Sequence, residues 1–222
     1  MAKIIALSGW KQSGKDSLAD FICEEGGGMF KRYGFANVLK DMVATQYNIP
    51  RESCDLTELK EQPLKQYPAN PQDAFSEMVC LYMAKELKPL TDLPDANLHW
   101  TPRALCILEG SVKRSVNSSY WVQRVIDQIK LDLYSASDYN FVITDMRYKS
   151  EMEQLKNAFG SDLVTVRINR FDNSPSTDPS ERDLDDGEFD YVIENRAGIS
   201  DFHHKINDLL ASIDIRSEKI DY

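Results

Sequence analysis

Short apolar runs alternate with amphipathic segments along most of the chain. β-Branched runs that end in glycine or in polar residues predict buried strands, whereas apolar residues three and four positions apart predict helices. Strands are expected at residues 3–9, 29–36, 140–144, 162–168 and 189–195. Strands that alternate with helices predict an α/β fold with a mostly parallel sheet and helices on both faces.

The helical periodicity predicts helices at residues 15–28, 37–47, 73–87, 101–116, 118–135, 149–160 and 200–213. Local residues mark some of their ends. A Thr-Pro pair at Thr101 predicts a helix start, Gly160 predicts a helix end, and Ser200 predicts the cap of the last helix.

Two polar stretches interrupt this alternation. Residues 48–99 are rich in proline, which predicts an excursion from the α/β core rather than a separate domain. Residues 169–188 form a long polar loop, which is typical of a lid that closes over a site. We therefore expect one domain over residues 1–222, with an insertion at about 48–100.

Charge and cysteine usage narrow the possible functions. The 222 residues carry a net charge of −10, which argues against a general nucleic-acid binder and against an anionic membrane surface. The four cysteines are far apart in sequence and no apolar run is long enough to cross a membrane. The expected location is the cytoplasm, or the host cytoplasm if the protein is encoded by a phage.

The most informative segment is LSGWKQSGKDSLADF, at residues 7–21. A glycine-rich turn between a strand and a helix lets consecutive N–H groups point at a phosphate, and the helix adds its positive dipole end. The candidate phosphate ligands belong to the loop or follow it directly: Gly9, Lys11, Ser13, Gly14, Lys15, Asp16 and Ser17. The alternative is an ordinary glycine turn.

Asp16 occupies the position at which phosphate-binding loops usually have a serine or threonine. The usual hydroxyl ligates Mg²⁺, and a carboxylate also suits that ion. We expect Asp16 to act through Mg²⁺ or through Lys11 and Lys15, with Ser17 as an available hydroxyl. Alternatively, Asp16 only complements the dipole of the helix.

The G-x-x-x-S-G-K-D pattern resembles the phosphate loop of the deoxynucleoside monophosphate kinases of T-even phages. Animal-type phosphomevalonate kinases have a similar loop. The resemblance to the phage kinases continues in dispersed blocks over most of the chain and is weakest at residues 48–99. It implies a three-layer P-loop kinase fold, ATP and Mg²⁺ as cofactors, and a small-molecule acceptor. A homodimer is also possible.

On the acceptor side, the resemblance implies that substrate contacts come from GFANVLKD and from the segment TPRALCILEG…YWV. The matching positions are Leu39, Lys40, Arg103, Gly110 and Trp121. The family's Gly-Thr-Asp is here Gly-Ser-Val, so the role of the family's aspartate has no counterpart. The alternatives are that Lys40 is a solvated lysine and that Trp121 is a core residue rather than a base-stacking one.

A second matching block is FVITDMRYKSEME, which contains Asp145, Arg147 and Glu151. Ligands of open α/β sheets bind beyond the carboxyl ends of the strands, where Asp145 and Arg147 are expected. Arg147 is a candidate for neutralising the transferred phosphoryl group, and Asp145 for orienting the acceptor or binding Mg²⁺ through water. The alternative is a structural Asp–Arg pair.

The polar loop and the last strand complete the list of candidates. Arg170 and Arg182 are the arginines that a lid would deliver to the phosphates, and Ser180 matches the family's H-x-S-E stretch, whose histidine is missing here. Asn195 matches a turn that the resemblance places around the donor adenine. A surface loop and an ordinary turn residue are the respective alternatives.

The leading functional hypothesis is phosphoryl transfer from ATP to a deoxynucleoside monophosphate, with Lys15, Asp145 and Arg147 as catalytic residues. Another small-molecule kinase of the same branch, such as a phosphomevalonate kinase, is the first alternative. A non-catalytic ATP-binding regulator is the second. A GTPase switch is less favoured, because the chain has no N-K-x-D element.

Overall fold

The computed structural model describes residues 2–26, 29–66, 100–135, 139–170, 182–195 and 199–213. Within these ranges the strands are β1 (Ile4–Ser8), β2 (Phe30–Tyr33), β3 (Asn140–Ile143), β4 (Leu163–Arg170) and β5 (Tyr191–Asn195). The α-helices are α1 (Lys15–Glu25), α2 (Phe35–Gln46), α3 (Pro102–Val116), α4 (Tyr120–Ser135), α5 (Lys149–Phe159) and α6 (Ile199–Ser212). Short 3₁₀ helices span Arg51–Cys54 and Gly160–Asp162.

The five strands form one parallel sheet in the order β2-β3-β1-β4-β5. Strand β1 lies at its centre, where Ile5 pairs with Val142 of β3 and with Val164 of β4. The described pairings of β2 and β5 are parallel as well. The predicted α/β class with a parallel sheet is therefore confirmed.

The chain folds into two compact units. The first consists of Met1–Phe35 and Val122–Tyr222 and contains the whole sheet, and the second consists of Ala36–Trp121. The single domain with an insertion and a lid, as expected from the sequence, stays a prediction.

The core of the first unit lies on both faces of the sheet. On one face, Ile5, Leu7 and Val142 pack with apolar residues of α1 and α6. Side chains of a strand alternate between faces, so Phe141 points the other way. Beside it, the Tyr33 hydroxyl donates to Asp132 of α4 at 2.6 Å. Helices therefore cover both faces, as the alternating pattern predicted.

The second unit has its own apolar core, formed by residues of α2 and α3, the 3₁₀ helix 51–54 and Trp100. The start of α3 was predicted correctly. Thr101 accepts a hydrogen bond from the Ala104 N–H at 3.2 Å, and Pro102 occupies the first turn, where a missing N–H costs nothing.

Several predicted boundaries were wrong, including the end of the second strand, which was expected at residue 36 and lies at Tyr33. Helix α2 begins at Phe35 rather than Asn37, and β4 continues through Arg170, which had been assigned to the lid. Helix α6 begins at Ile199, so Ser200 is not its cap. The predicted helix at 73–87 lies outside the described residues. No helix in the described ranges is long and apolar enough to span a membrane.

Candidate phosphoryl-transfer site

The loop between β1 and α1 requires glycine at two positions. Gly9 has φ +154°, and a Cβ there would lie 2.6 Å from the Ile168 carbonyl oxygen. Gly14 has φ +106°, and a Cβ there would lie 2.9 Å from Nδ2 of Asn195. Left-handed backbone of this kind favours glycine. The loop thus has the conformational demands of a phosphate-binding turn rather than those of an arbitrary connection.

Lys15, the first residue of α1, folds back over this loop. Its Nζ donates to the carbonyl oxygens of Gly9 at 2.6 Å and of Trp10 at 2.7 Å. The Trp10 carbonyl also accepts from the Ser13 N–H at 3.1 Å, which closes the turn. A cation is therefore fixed above the loop, at the positive end of the helix.

Ser13 is buried within the loop. Its side chain is 1% exposed, and among the described residues its hydroxyl has no hydrogen-bond partner. The Ser13 carbonyl accepts from the Asn195 amide at 3.0 Å. The structure thus gives Asn195 a contact with the phosphate loop itself, whereas the sequence had suggested a place near the donor base.

Asp16 lies on the first turn of α1. Its side chain is 80% exposed and forms an ion pair with Arg32 of β2, which also binds Asp20 one turn along the helix. Arg32, which sequence analysis had not named, is therefore a cation beside Asp16. Ser17 is exposed on the same first turn.

Asp145 lies just beyond the end of β3. One of its carboxylate oxygens accepts from the Phe35 N–H at 2.8 Å, at the start of α2, where the backbone has no intrahelical partner. A Cβ on Gly34 would come within 3.4 Å of both Asp145 oxygens. The Met146 N–H donates to the Leu7 carbonyl at 3.2 Å, so this segment runs beside the end of β1, as predicted.

Glu151 stabilises the backbone that carries Arg147. Its carboxylate accepts from the N–H groups of Arg147 at 2.8 Å and Tyr148 at 3.0 Å, which forms the cap of α5. Glu151 is only 8% exposed. These contacts give Glu151 a structural role, and its expected substrate-binding role stays a prediction.

A cluster around Asp185 was missed by sequence analysis. Asp185 Oδ1 accepts from the Trp10 indole at 2.8 Å and from Arg167 Nη2 at 2.6 Å. Arg167 is 7% exposed and also donates to the Ser8 hydroxyl at 3.0 Å. The available signal was a charged residue inside the apolar run of β4, because buried arginines are normally paired.

The candidate lid residues are only partly described. Arg170 donates from Nη1 to the Gln12 carbonyl at 3.2 Å, so it reaches the phosphate loop from the end of β4. Arg182 is exposed, and its Nε lies 3.6 Å from Asp185 Oδ2. Ser180 lies outside the described residues.

In the second unit, the two candidate acceptor cations are engaged in ion pairs. Lys40 donates to Asp55 Oδ1 at 2.8 Å, and Arg103 pairs with Glu61. Burial raises the pKa of Asp55, but its hydrogen bond with Lys40 and the charges of Lys40 and Arg51 outweigh this effect and hold it below its usual value. Surface pairs of this kind are weak enough for a ligand to replace one partner.

Trp121 is a core residue. It is 3% exposed, and its indole donates to the Gly110 carbonyl at 3.1 Å. Gly110 lies against Leu39, because a Cβ on the glycine would be 3.2 Å from a Leu39 methyl carbon. This arrangement replaces the predicted stacking of Trp121 on a base, since a stacking surface must be accessible to the ligand.

Glu109 was also missed. It is 0% exposed, and its Oε1 accepts from Gln46 at 2.7 Å and from the Tyr47 hydroxyl at 2.6 Å. Its other oxygen has no hydrogen-bond partner within the described ranges. The network links α2 to α3 through polar groups inside an otherwise apolar core.

A preformed metal cage is not found in the described part of the chain, where no three histidine, cysteine or carboxylate side chains are grouped to hold an ion. Mg²⁺ in phosphoryl-transfer enzymes usually takes one or two protein oxygens and completes its shell with phosphates and water. The oxygens of Asp16 and Ser17 fit this requirement.

Comparison with known proteins agrees with the resemblance. The family described as deoxynucleotide monophosphate kinase matches residues 3–67. A deoxynucleotide monophosphate kinase of Escherichia phage RB69 is 28% identical, over 94% of this chain and 99% of the relative. A solved sugar kinase from Janibacter sp. HTCC2649 covers 97% of this chain and 96% of its own, at 11% identity and a TM-score of 0.42. The predicted similarity to phage kinases is confirmed by the first two matches.

Proposed function

We infer that this chain is a deoxynucleoside monophosphate kinase of the phage type, which phosphorylates its acceptor to the diphosphate. We further propose that ATP is the donor and Mg²⁺ the metal cofactor. The observation that carries this proposal is the glycine loop between β1 and α1, with the Lys15 ammonium held over it by two carbonyls. Such a loop binds the phosphates of a nucleotide.

Phosphoryl transfer depends on positioning and on charge stabilisation, and needs no covalent intermediate. In the proposed mechanism, the loop N–H groups and Lys15 hold the donor phosphates. Arg147 stabilises the charge on the transferred group and Asp145 orients the acceptor. The Met146–Leu7 hydrogen bond supports this assignment, because it keeps the Asp145–Arg147 segment beside the strand from which the loop emerges.

The remaining ligand contacts are assigned on the family resemblance. Asp16 and Ser17 are the residues proposed to hold Mg²⁺, which when bound would lower the charge on the donor phosphates. Arg170 and Arg182 are proposed to exclude water and neutralise phosphate, as lid arginines do. Acceptor contacts are proposed for Leu39, Lys40, Arg103 and Ser180.

Product analysis tests the proposal. Incubation with ATP, Mg²⁺ and a deoxynucleoside monophosphate should yield the deoxynucleoside diphosphate and ADP in equal amounts. Tight ATP binding without any diphosphate would instead support a regulator. Transfer to mevalonate phosphate alone would support the isoprenoid branch.

A further inference from the structure

The hydrogen bonds around Trp10 connect a carboxylate outside the phosphate loop to the lysine over it. The Trp10 side chain is bound by Asp185, and its main-chain carbonyl is bound by Lys15 and by the Ser13 N–H. Because the indole and this carbonyl belong to one residue, the hydrogen bond to Asp185 restricts the positions that the carbonyl can take. Trp10 therefore connects the Asp185 carboxylate, through its side chain, with the Lys15 ammonium, through its main-chain carbonyl.

Asp185 is itself firmly placed. Its neighbour Leu184 is 1% exposed, so the turn that carries both residues is anchored in the core. The flanking Asp183 accepts from the Lys149 N–H at 2.7 Å, and Asp186 pairs with the Lys149 ammonium at 2.7 Å. The turn is thus fixed to the first residue of α5, and its position does not depend on Trp10.

Arg167 supplies a counter-charge to Asp185 and helps to hold its carboxylate in place. The Arg167 side chain is 9% exposed, its Nη2 lies 2.6 Å from Asp185 Oδ1, and its Nη1 donates to the Ser8 hydroxyl. A buried guanidinium needs such a counter-charge. Hydrogen bonds to an ionised acceptor are stronger than neutral ones, so the indole of Trp10 has a strong acceptor.

We propose that Asp185 is a positioning residue for the donor nucleotide, acting through the indole of Trp10 on the carbonyl that holds Lys15. The inference rests on the proposed function, because it assigns the loop to the donor. It does not place Asp185 in contact with the nucleotide. Asp185 instead sets the donor affinity of a loop that other residues form.

Two substitutions weaken or remove the same hydrogen bond from opposite ends. Trp10→Phe keeps an aromatic ring but removes the N–H, and leaves the Arg167–Asp185 pair intact. Asp185→Asn removes the charge. Asp186→Asn is the matched control, because it changes an adjacent exposed carboxylate that binds Lys149 instead. If Asp185→Asn fails to fold for lack of a counter-charge to Arg167, Trp10→Phe alone decides the question.

The measurement is the Kd of ATP with Mg²⁺ by calorimetry, without acceptor, together with the KM of the acceptor. Each single variant should weaken ATP binding about tenfold, the size expected for a hydrogen bond to a charged group. The double variant should bind ATP no less tightly than the single variant with the lower affinity, because both substitutions act on one interaction. The acceptor KM and the Asp186→Asn control should stay at the wild-type values.

Wild-type ATP affinity in Trp10→Phe would overturn the inference, and so would losses that add in the double variant. These outcomes are distinct from failure of the proposed function. That failure would appear as an absence of transfer by the wild-type protein while its ATP affinity and the differences among variants persist.

Discussion

The side-chain amide of Asn195 donates to the Ser13 carbonyl at 3.0 Å, and so ties the end of β5 to the phosphate loop. The same amide nitrogen would lie 2.9 Å from a Cβ on Gly14. Asn195 therefore both holds the loop and fills the space that a larger residue at Gly14 would need. The loop conformation depends on an edge strand far away in sequence.

Asn195→Ala should raise the KM for the donor several-fold, because one hydrogen bond to the loop is worth about 1 kcal/mol. Steady-state kinetics at saturating acceptor measures this change. Asn169→Ala is the matched control, since Asn169 donates to Glu194 at an exposed position of the neighbouring strand. Equal donor KM values in the two variants would contradict the anchoring role.

Lys15→Ala should reduce transfer about 100-fold or more, as expected when a preorganised charge is removed from a transition state. The fold should survive, because the ammonium binds carbonyls of a surface loop rather than the core. A coupled ADP assay and thermal unfolding monitored by circular dichroism measure the two effects. Lys130→Ala, at an exposed position of α4, is the control. Persistent activity in Lys15→Ala would exclude the loop as the donor site.

Asp16→Ser should keep transfer within about tenfold of wild type, because it restores the hydroxyl that commonly ligates Mg²⁺ at this position. The Arg32 guanidinium would retain its second partner, Asp20. Titration of activity with Mg²⁺ measures any change in metal requirement. Asp20→Ser, one turn further along α1, controls for the loss of a charge near Arg32. Complete loss of activity only in Asp16→Ser would mean that this carboxylate has a role of its own.

Asp132 predicts a specific dependence of stability on pH. The Tyr33 hydroxyl and, less strongly, Lys31 hold the pKa of Asp132 below its usual value. A lowered folded-state pKa stabilises the protein above the unfolded value, and this contribution disappears as pH falls through the folded pKa. The stability difference between wild type and Asp132→Asn should therefore be full at pH 7 and shrink below about pH 4.

Urea unfolding at a series of pH values measures that difference. Asp127→Asn, at an exposed position of the same helix, is the control for the loss of a carboxylate from α4. Burial and the hydrogen bond to Asp132 raise the pKa of Tyr33. The contribution of Tyr33 to stability therefore has the opposite pH dependence. It is present below the pKa of tyrosine in the unfolded chain and is lost as the pH rises. A pH-independent difference for Asp132→Asn would contradict the assigned pair.

Local patterns predicted the elements well where the cause was local. The β-branched run at 3–9, the Thr-Pro start at Thr101 and the terminal Gly160 all act through neighbouring residues. The start of α2 was placed late because its first N–H is satisfied by Asp145, 110 residues away. No local pattern contains such a cap.

In the candidate site, too, features with local causes were predictable from the sequence, whereas contacts between distant residues were not. Gly9, Gly14 and Lys15 form the loop that their spacing predicted, because the motif specifies backbone and charge within a few residues. The partners Arg32 and Asp185 were not predictable, since they depend on which strands and turns become neighbours. The family resemblance suggested that Trp121 stacks on a base, with a core position as the alternative, and the residue is buried.

ADP release from ATP and Mg²⁺, measured across a panel of acceptors, is the most direct test of deoxynucleoside monophosphate kinase activity. The panel contains dTMP, dGMP, dCMP, dAMP, their ribonucleotide counterparts and mevalonate phosphate. We expect turnover with one or more deoxynucleotides, which would also identify the accepted bases. Turnover with none of them, with ATP binding retained, would contradict this expectation and remove Asp145 and Arg147 from the catalytic residues.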